Sequence, residues 1–119
     1  MQYIILIGDE KLTLESIKPI CHYGSVNSYD VDEKRYCVKY DTDHIFYDYD
    51  NVSESDYDES ELDRIPFSIP HFVTMVYKSQ ERVKSILQQD NFLRGIYVDN
   101  DKDLIVPIEE FIKMGVPLP

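Results

Sequence analysis

At 119 residues the chain is sized for one domain, and its twenty-three acidic against twelve basic side chains leave a net charge of −11. Such a field repels nucleic-acid phosphates and anionic membranes, both of which need lysine and arginine to replace their counterions. Hydrophobic residues at 43% suffice for a core without disulfide staples, and Cys21 and Cys37 with no secretory segment fit a reducing cytoplasm.

Alanine and tryptophan are absent while Ile, Val and Tyr abound, which favours strands over helices. Tyr3 to Ile7 is apolar on both faces and reads as a central strand. Thr13 is a plausible N-cap for a short helix through Ile20, with Leu14, Ile17 and Ile20 at helical spacing and Pro19 in its last turn. Three strand-like runs follow: Ser25 to Val31, Arg35 to Tyr40, and His44 to Asp50. Their alternation suggests a meander with one wet side, Ile45, Tyr47 and Tyr49 facing in and Phe46, Asp48 and Asp50 facing out. From Asn51 to Ile65 the pattern collapses into Ser, Asp and Glu, the expected signature of a mobile loop.

Phe72 to Tyr77 is a second segment apolar on both faces. Ser79 caps a helix from Gln80 to about Gln89, whose stripe is Val83, Ile86 and Leu87. Ile96 to Val98 and Leu104 to Val106 form a hairpin across an acidic turn, and Pro107 opens a final helix closed by Gly115.

The order is β-α-β-β-β, acidic loop, β-α-β-β-α, and the two halves rhyme. Each begins with a doubly apolar strand, crosses over through a helix and continues into a hairpin. The expected fold over residues 1–119 is therefore α+β: a ferredoxin-like sheet from two βαββ-type halves, with an extra strand and a C-terminal helix. The strand at His44 to Asp50 could lie at an edge or fold over the sheet.

Two local patterns invite a site. Counted from Asp99, the carboxylates of Asp99, Asp101, Asp103 and Glu110 fall at positions 1, 3, 5 and 12, a spacing that resembles an EF-hand calcium loop over about a tenth of the chain. The pattern departs where Leu104 replaces the turn glycine, where Pro107 replaces a polar ligand, and where a strand precedes the loop. An acidic hairpin turn is the better reading, and no metal or other cofactor is expected.

The second pattern is the run from Asp41 to Asp63, which holds ten carboxylates and no lysine or arginine. Asp48, Asp50, Glu54, Asp56, Tyr57, Asp58, Glu59 and Glu61 are the candidate partner-binding residues. The carboxylates would steer a basic protein, and tyrosine adds rigid contact area. His22, His44 and His71 sit in three different elements with no nucleophile motif beside them. Cys21, His22, Cys37 and His44 fit no zinc spacing. No catalytic residue is assigned.

The expected function is that of a non-enzymatic, cytoplasmic protein-binding domain docking on a basic protein, in the manner of an acidic immunity-type inhibitor, without nucleic acid or membrane as partner. The competing reading is a small-molecule-binding regulatory module, with homodimers paired through a sheet edge. An enzyme of unrecognised motif comes third.

Overall fold

The computed structural model describes residues 2–119. Seven strands form one antiparallel sheet: β1 (Gln2–Gly8), β2 (Asn27–Asp32), β3 (Arg35–Lys39), β4 (His44–Tyr49), β5 (His71–Tyr77), β6 (Tyr97–Asp99) and β7 (Ile105–Pro107). Four short helices accompany it: α1 (Leu14–Ile17), α2 (Glu59–Leu62), α3 (Gln80–Leu87) and α4 (Ile108–Lys113). The protein is a compact α+β structure with a radius of gyration of 13.5 Å, as expected for its length.

Strand order is β2-β3-β4-β5-β1-β6-β7. The two doubly apolar segments, β1 and β5, are neighbours from Gln2↔Tyr77 to Gly8↔His71 and lie in the sheet's interior. Because a strand sends alternate side chains to opposite faces, β1 buries Ile4 and Leu6 on one side and Ile5 and Ile7 on the other.

The first face carries the main core, in which Leu14 and Ile17 of α1, Val83, Ile86 and Leu87 of α3, and Ile108 and Phe111 of α4 pack on Val73, Met75 and Tyr77. α1 and the following loop carry the chain from β1 to the far edge at β2, and a meander then returns it to β5. α3 carries it over β1 to β6. Gly8 ends β1 where a Cβ would stand 2.8 Å from Leu12 Cβ, so the chain can turn closely there only without a side chain. Among the described residues no helix is long and apolar enough to cross a membrane.

Several sequence expectations need correction. The first helix ends at Ile17, not Ile20: Lys18 keeps helical backbone as its C-cap and bonds the Leu14 carbonyl, but Pro19 has no N–H with which to continue the ladder. The His44 to Asp50 strand is no appendage: β4 lies between β3 and β5, and the peripheral strands are β2 and β7. Asp48 does not face water on a wet side. It is buried and bonded twice by Arg35, at 2.6 and 2.8 Å. Two cysteines in a reducing setting are expected to be buried thiols; Cys37 is buried, but Cys21 is exposed.

The largest correction concerns residues 51–65, which fold instead of forming an unstructured loop. A single 3-10 turn spans Glu54–Asp56 and α2 follows it.

Candidate functional site

The acidic segment holds its shape through two reciprocal caps. Asp56 accepts a hydrogen bond from the Ser53 backbone N–H at 2.8 Å. Asp58 accepts one from the Glu61 N–H at 2.8 Å, while Glu61 accepts one from the Asp58 N–H at 3.0 Å. Both are capping boxes, in which carboxylates satisfy the donors that a helical turn leaves free at its start.

Apolar residues pin the segment to the sheet's second face. Tyr57 stacks on Phe72 with ring centroids 5.4 Å apart and 18° between planes. Ile65 joins the same small cluster with Ile5, Ile7, Phe72 and Ile105, and Val52, Leu62 and Phe67 pack around it. At the far end, Arg64 donates to the Asp103 carbonyl at 3.0 Å and ties the segment to the β6–β7 turn.

A cavity of about 440 Å³ opens between this cap and the sheet. Ile5, Thr74 and Val76 form its floor. Asn51, Val52, Asp56, Tyr57 and Glu61 wall one side, and Tyr3, Asp99 and Asp101 wall the other. Four of these side chains are carboxylates, and no lysine or arginine lines the space.

Asp99 is the deepest of the four, 5% exposed. Its Oδ2 accepts the Tyr57 hydroxyl at 2.8 Å and its Oδ1 accepts the Asp101 N–H at 2.8 Å. Burial pushes its pKa up, and the charges of Asp101 and Glu61 add to the rise, while the two hydrogen bonds oppose it. Tyr3 donates to Asp101 at 2.9 Å. That bond, followed by partial burial, holds the phenol above its ordinary pKa. The cavity thus combines a mostly apolar floor, two tyrosine walls and a negative rim, which suits an alkyl chain ending in a cation.

Of the residues singled out from sequence, Asp56, Tyr57 and Glu61 meet at this cavity together with Asp99 and Asp101 of the acidic hairpin turn. The other sequence candidates lie apart from it. Asp48 is committed to Arg35, Asp58 caps α2, and Asp50 sits exposed with its nearest cation, Lys34, at 3.9 Å. Glu54 and Glu59 are exposed and line no part of the cavity. Asp103 stands in the turn at φ 66°, and Glu110 lies on α4 beside Lys113. Among the described residues, no three His, Cys, Asp or Glu side chains are grouped so as to hold a metal ion.

None of the three histidines lines the cavity. His22 is buried between the Ile20 carbonyl, 3.1 Å from Nδ1, and the Tyr47 hydroxyl, 2.6 Å from Nε2. His71 Nδ1 lies 3.2 Å from the Leu12 carbonyl and 3.3 Å from the Tyr49 hydroxyl.

Sequence reading missed Tyr3 and the role of Asp99, because the bond from Tyr57 to Asp99 joins residues 42 apart. It also missed a local signal: Ser53-x-x-Asp56 and Asp58-x-x-Glu61 have the spacing of capping boxes. No protein-family model, curated protein or solved structure matches the chain.

Proposed function

We propose that this protein is a non-enzymatic binding domain that docks on a basic protein through the acidic face built by residues 51–65 and the β6–β7 turn. The observation that carries this reading is the cavity: four carboxylates around a mostly apolar floor, with no lysine or arginine among the described residues that line it. The polar groups there are tied to one another, Tyr57 to Asp99 and Tyr3 to Asp101, and form no nucleophile–base pair. Binding chemistry fits them better than catalysis. A net charge of −11 speeds encounter with a cationic surface, and a rigid cap loses little entropy when it docks. An immunity-type inhibitor of a cationic toxin is the kind of protein such a design suits.

The supporting scaffold is a ferredoxin-like core. The inner strands run β4-β5-β1-β6, with one helical crossover leading from β1 and another joining β5 to β6. This is the order of that fold, with β2, β3 and β7 added outside it. The reading does not favour pairing through the β2 edge, which is bulged between Asp30 and Asp32 and negatively charged, two devices that discourage strand addition.

The test is affinity capture with the tagged protein and with a triple variant, Asp56→Asn, Glu61→Gln and Asp101→Asn. These changes keep the shapes and hydrogen-bond acceptors but remove three charges. A basic protein should be retained at about 0.05 M salt, released by about 0.5 M, and lost by the variant. Capture of the same protein by the uncharged variant would defeat the reading.

A further inference from the structure

The acidic cap covers only part of the sheet's second face. Beyond it, strand register aligns five side chains in one row that crosses five strands: Tyr29↔Cys37, Cys37↔Phe46, Phe46↔Val76 and Val76↔Tyr3 are successive cross-strand partners. Alternation puts the whole row on the face opposite the main core. Four inter-strand steps at about 4.8 Å make it roughly 19 Å long. Its two ends stand in solvent, Tyr29 at 46% and Tyr3 at 38% exposure, while Phe46 and Val76 are half-buried and Cys37 forms the buried floor.

The middle of the row is packed, with Cys37 buried and the Phe46 ring beneath the Arg35 guanidinium and 4.7 Å from the His44 ring, so its open surface lies toward Tyr29 and Tyr3. Facing water, an antiparallel sheet ordinarily carries polar residues there, and contiguous apolar surface on a small protein marks a contact site. Tyrosine and phenylalanine are also the side chains that anchor interfaces.

The row ends at the cavity: Tyr3 and Val76 belong to both. The other part of the row has the opposite charge beside it. The Arg35 guanidinium lies 4.3 Å over the Phe46 ring, and Lys39, two residues from Cys37 on the same strand, faces the same way. With Arg35 already paired to Asp48, Lys39 supplies the positive charge near β3, and a cation is drawn instead to the carboxylates near β1 and β6, which gives the surface a direction. A second copy of this chain is a poor occupant, since it would bring another −11 and the same acidic cavity.

We propose that this partly open stripe is the centre of the partner interface, and that it takes an extended segment of a basic protein whose apolar side chains lie along the row and whose terminal arginine or lysine enters the acidic cavity. The proposal rests on the basic-partner reading above and adds to it where the contact energy resides. The carboxylates steer and orient, and the row Tyr29, Phe46, Val76 and Tyr3 supplies the desolvated contact. At about 3.3 Å per residue, some six residues of extended chain span the row, with alternate side chains facing it.

The experiment is an amide-resolved NMR titration of the full chain with three acetylated, amidated heptapeptides. The first is Arg-Ser-Leu-Ser-Phe-Ser-Leu. The second carries citrulline for arginine, and the third carries serine for all three apolar residues. The first should shift the amides of Tyr29, Phe46, Val76 and Tyr3 together with those of Ile5, Asp99 and Asp101, and bind at least about tenfold more tightly than either twin. Tyr29→Ser, on an exposed edge strand, and the near-isosteric Val76→Thr should each weaken it while thermal unfolding shows both folded. If the serine twin binds as tightly as the first peptide, the stripe is no contact site and only charge docking survives. If the citrulline twin does, the basic occupant is wrong and the function proposed above goes with it. Self-association in diffusion measurements without peptide, abolished by Tyr29→Ser, would put a second copy on the row and overturn the proposal, as would the absence of any saturable shift.

Discussion

Tyr57→Phe isolates the bond that pins the acidic cap. The substitution keeps the ring stacked on Phe72 and deletes only the hydroxyl that reaches Asp99 Oδ2 at 2.8 Å. Asp99 then keeps a single protein donor, the Asp101 N–H, at a carboxylate only 5% exposed. A hydrogen bond to a charged group contributes about 1.5–3 kcal/mol, so the variant should lose that much stability at neutral pH. For a domain of this size about 4 °C accompanies each kcal/mol, which gives a fall in Tm of about 6–12 °C. The loss should also depend on pH. The folded pKa of Asp99 stands above its ordinary value of 3.8, so the native protein takes up the proton first. Ionised Asp99 therefore opposes folding at neutral pH, and that opposition is relieved as pH falls through the folded value. Tyr57 favours the ionised form, so its removal matters most at pH 7 and least near pH 4. Urea unfolding followed by circular dichroism at both pH values reads the difference. A variant as stable as the parent at pH 7, or a deficit that grows on acidification, would refute the claim that this bond anchors the cap.

Other elements yield independent tests. Burial holds His22 below its ordinary pKa of 6.5, so the unfolded chain takes the proton first and stability should fall as pH drops below 6.5; urea midpoints at pH 7.5 and 5.5 should show a slope that His22→Gln removes. Arg82→Met deletes two bonds to Asp43, at 3.0 and 3.1 Å, and a cation 3.7 Å over the Tyr40 ring. It should lose about 1–3 kcal/mol at pH 7. Because Arg82 depresses the pKa of Asp43, the ion-pair part of that deficit should be lost as pH falls below 3.8 and through the folded value, leaving the contact with Tyr40. Gly8→Ala forces Leu12 away from a Cβ only 2.8 Å distant, and should cost about 1–3 kcal/mol by thermal melt unless the turn after β1 relaxes.

The sheet was legible because its signals are local and periodic. Ile4 to Ile7 carry apolar side chains at consecutive positions and Phe72 to Tyr77 at all but Thr74, a pattern that suits an interior strand, and Ser79 announces α3 by capping it. Residues 51–65 were illegible for the opposite reason. Val52, Tyr57, Leu62 and Ile65 pack on the sheet at spacings that match neither a strand nor a helix, and the surrounding carboxylates drown them in any composition average. The stripe of Tyr29, Phe46, Val76 and Tyr3 needs four strand registers to be known before it exists at all. Asp99 was noticed for its spacing to Asp101 and Asp103, but its meaning depends on a tyrosine from another part of the chain.

That carboxylate is also where stability and binding pull apart. An asparagine at position 99 could accept the Asp101 N–H on Oδ1 and donate Nδ2 to the Tyr57 oxygen, so both hydrogen bonds would survive. What it would lose is a buried charge repelled by Asp101 and Glu61 and paired with no lysine or arginine. Asp99→Asn should therefore stabilise the free protein at pH 7, with the gain disappearing below about pH 3.8 as the unfolded-state carboxyl protonates as well. The same change should weaken capture of an arginine-bearing peptide, since the deepest of the four charges facing the cavity is gone. A carboxylate that lowers the stability of the isolated fold and raises affinity for a cation is explained by the cation. If Asp99→Asn destabilises the protein and leaves peptide affinity untouched, the charge serves the fold alone and the cavity has no claim to be a cation site.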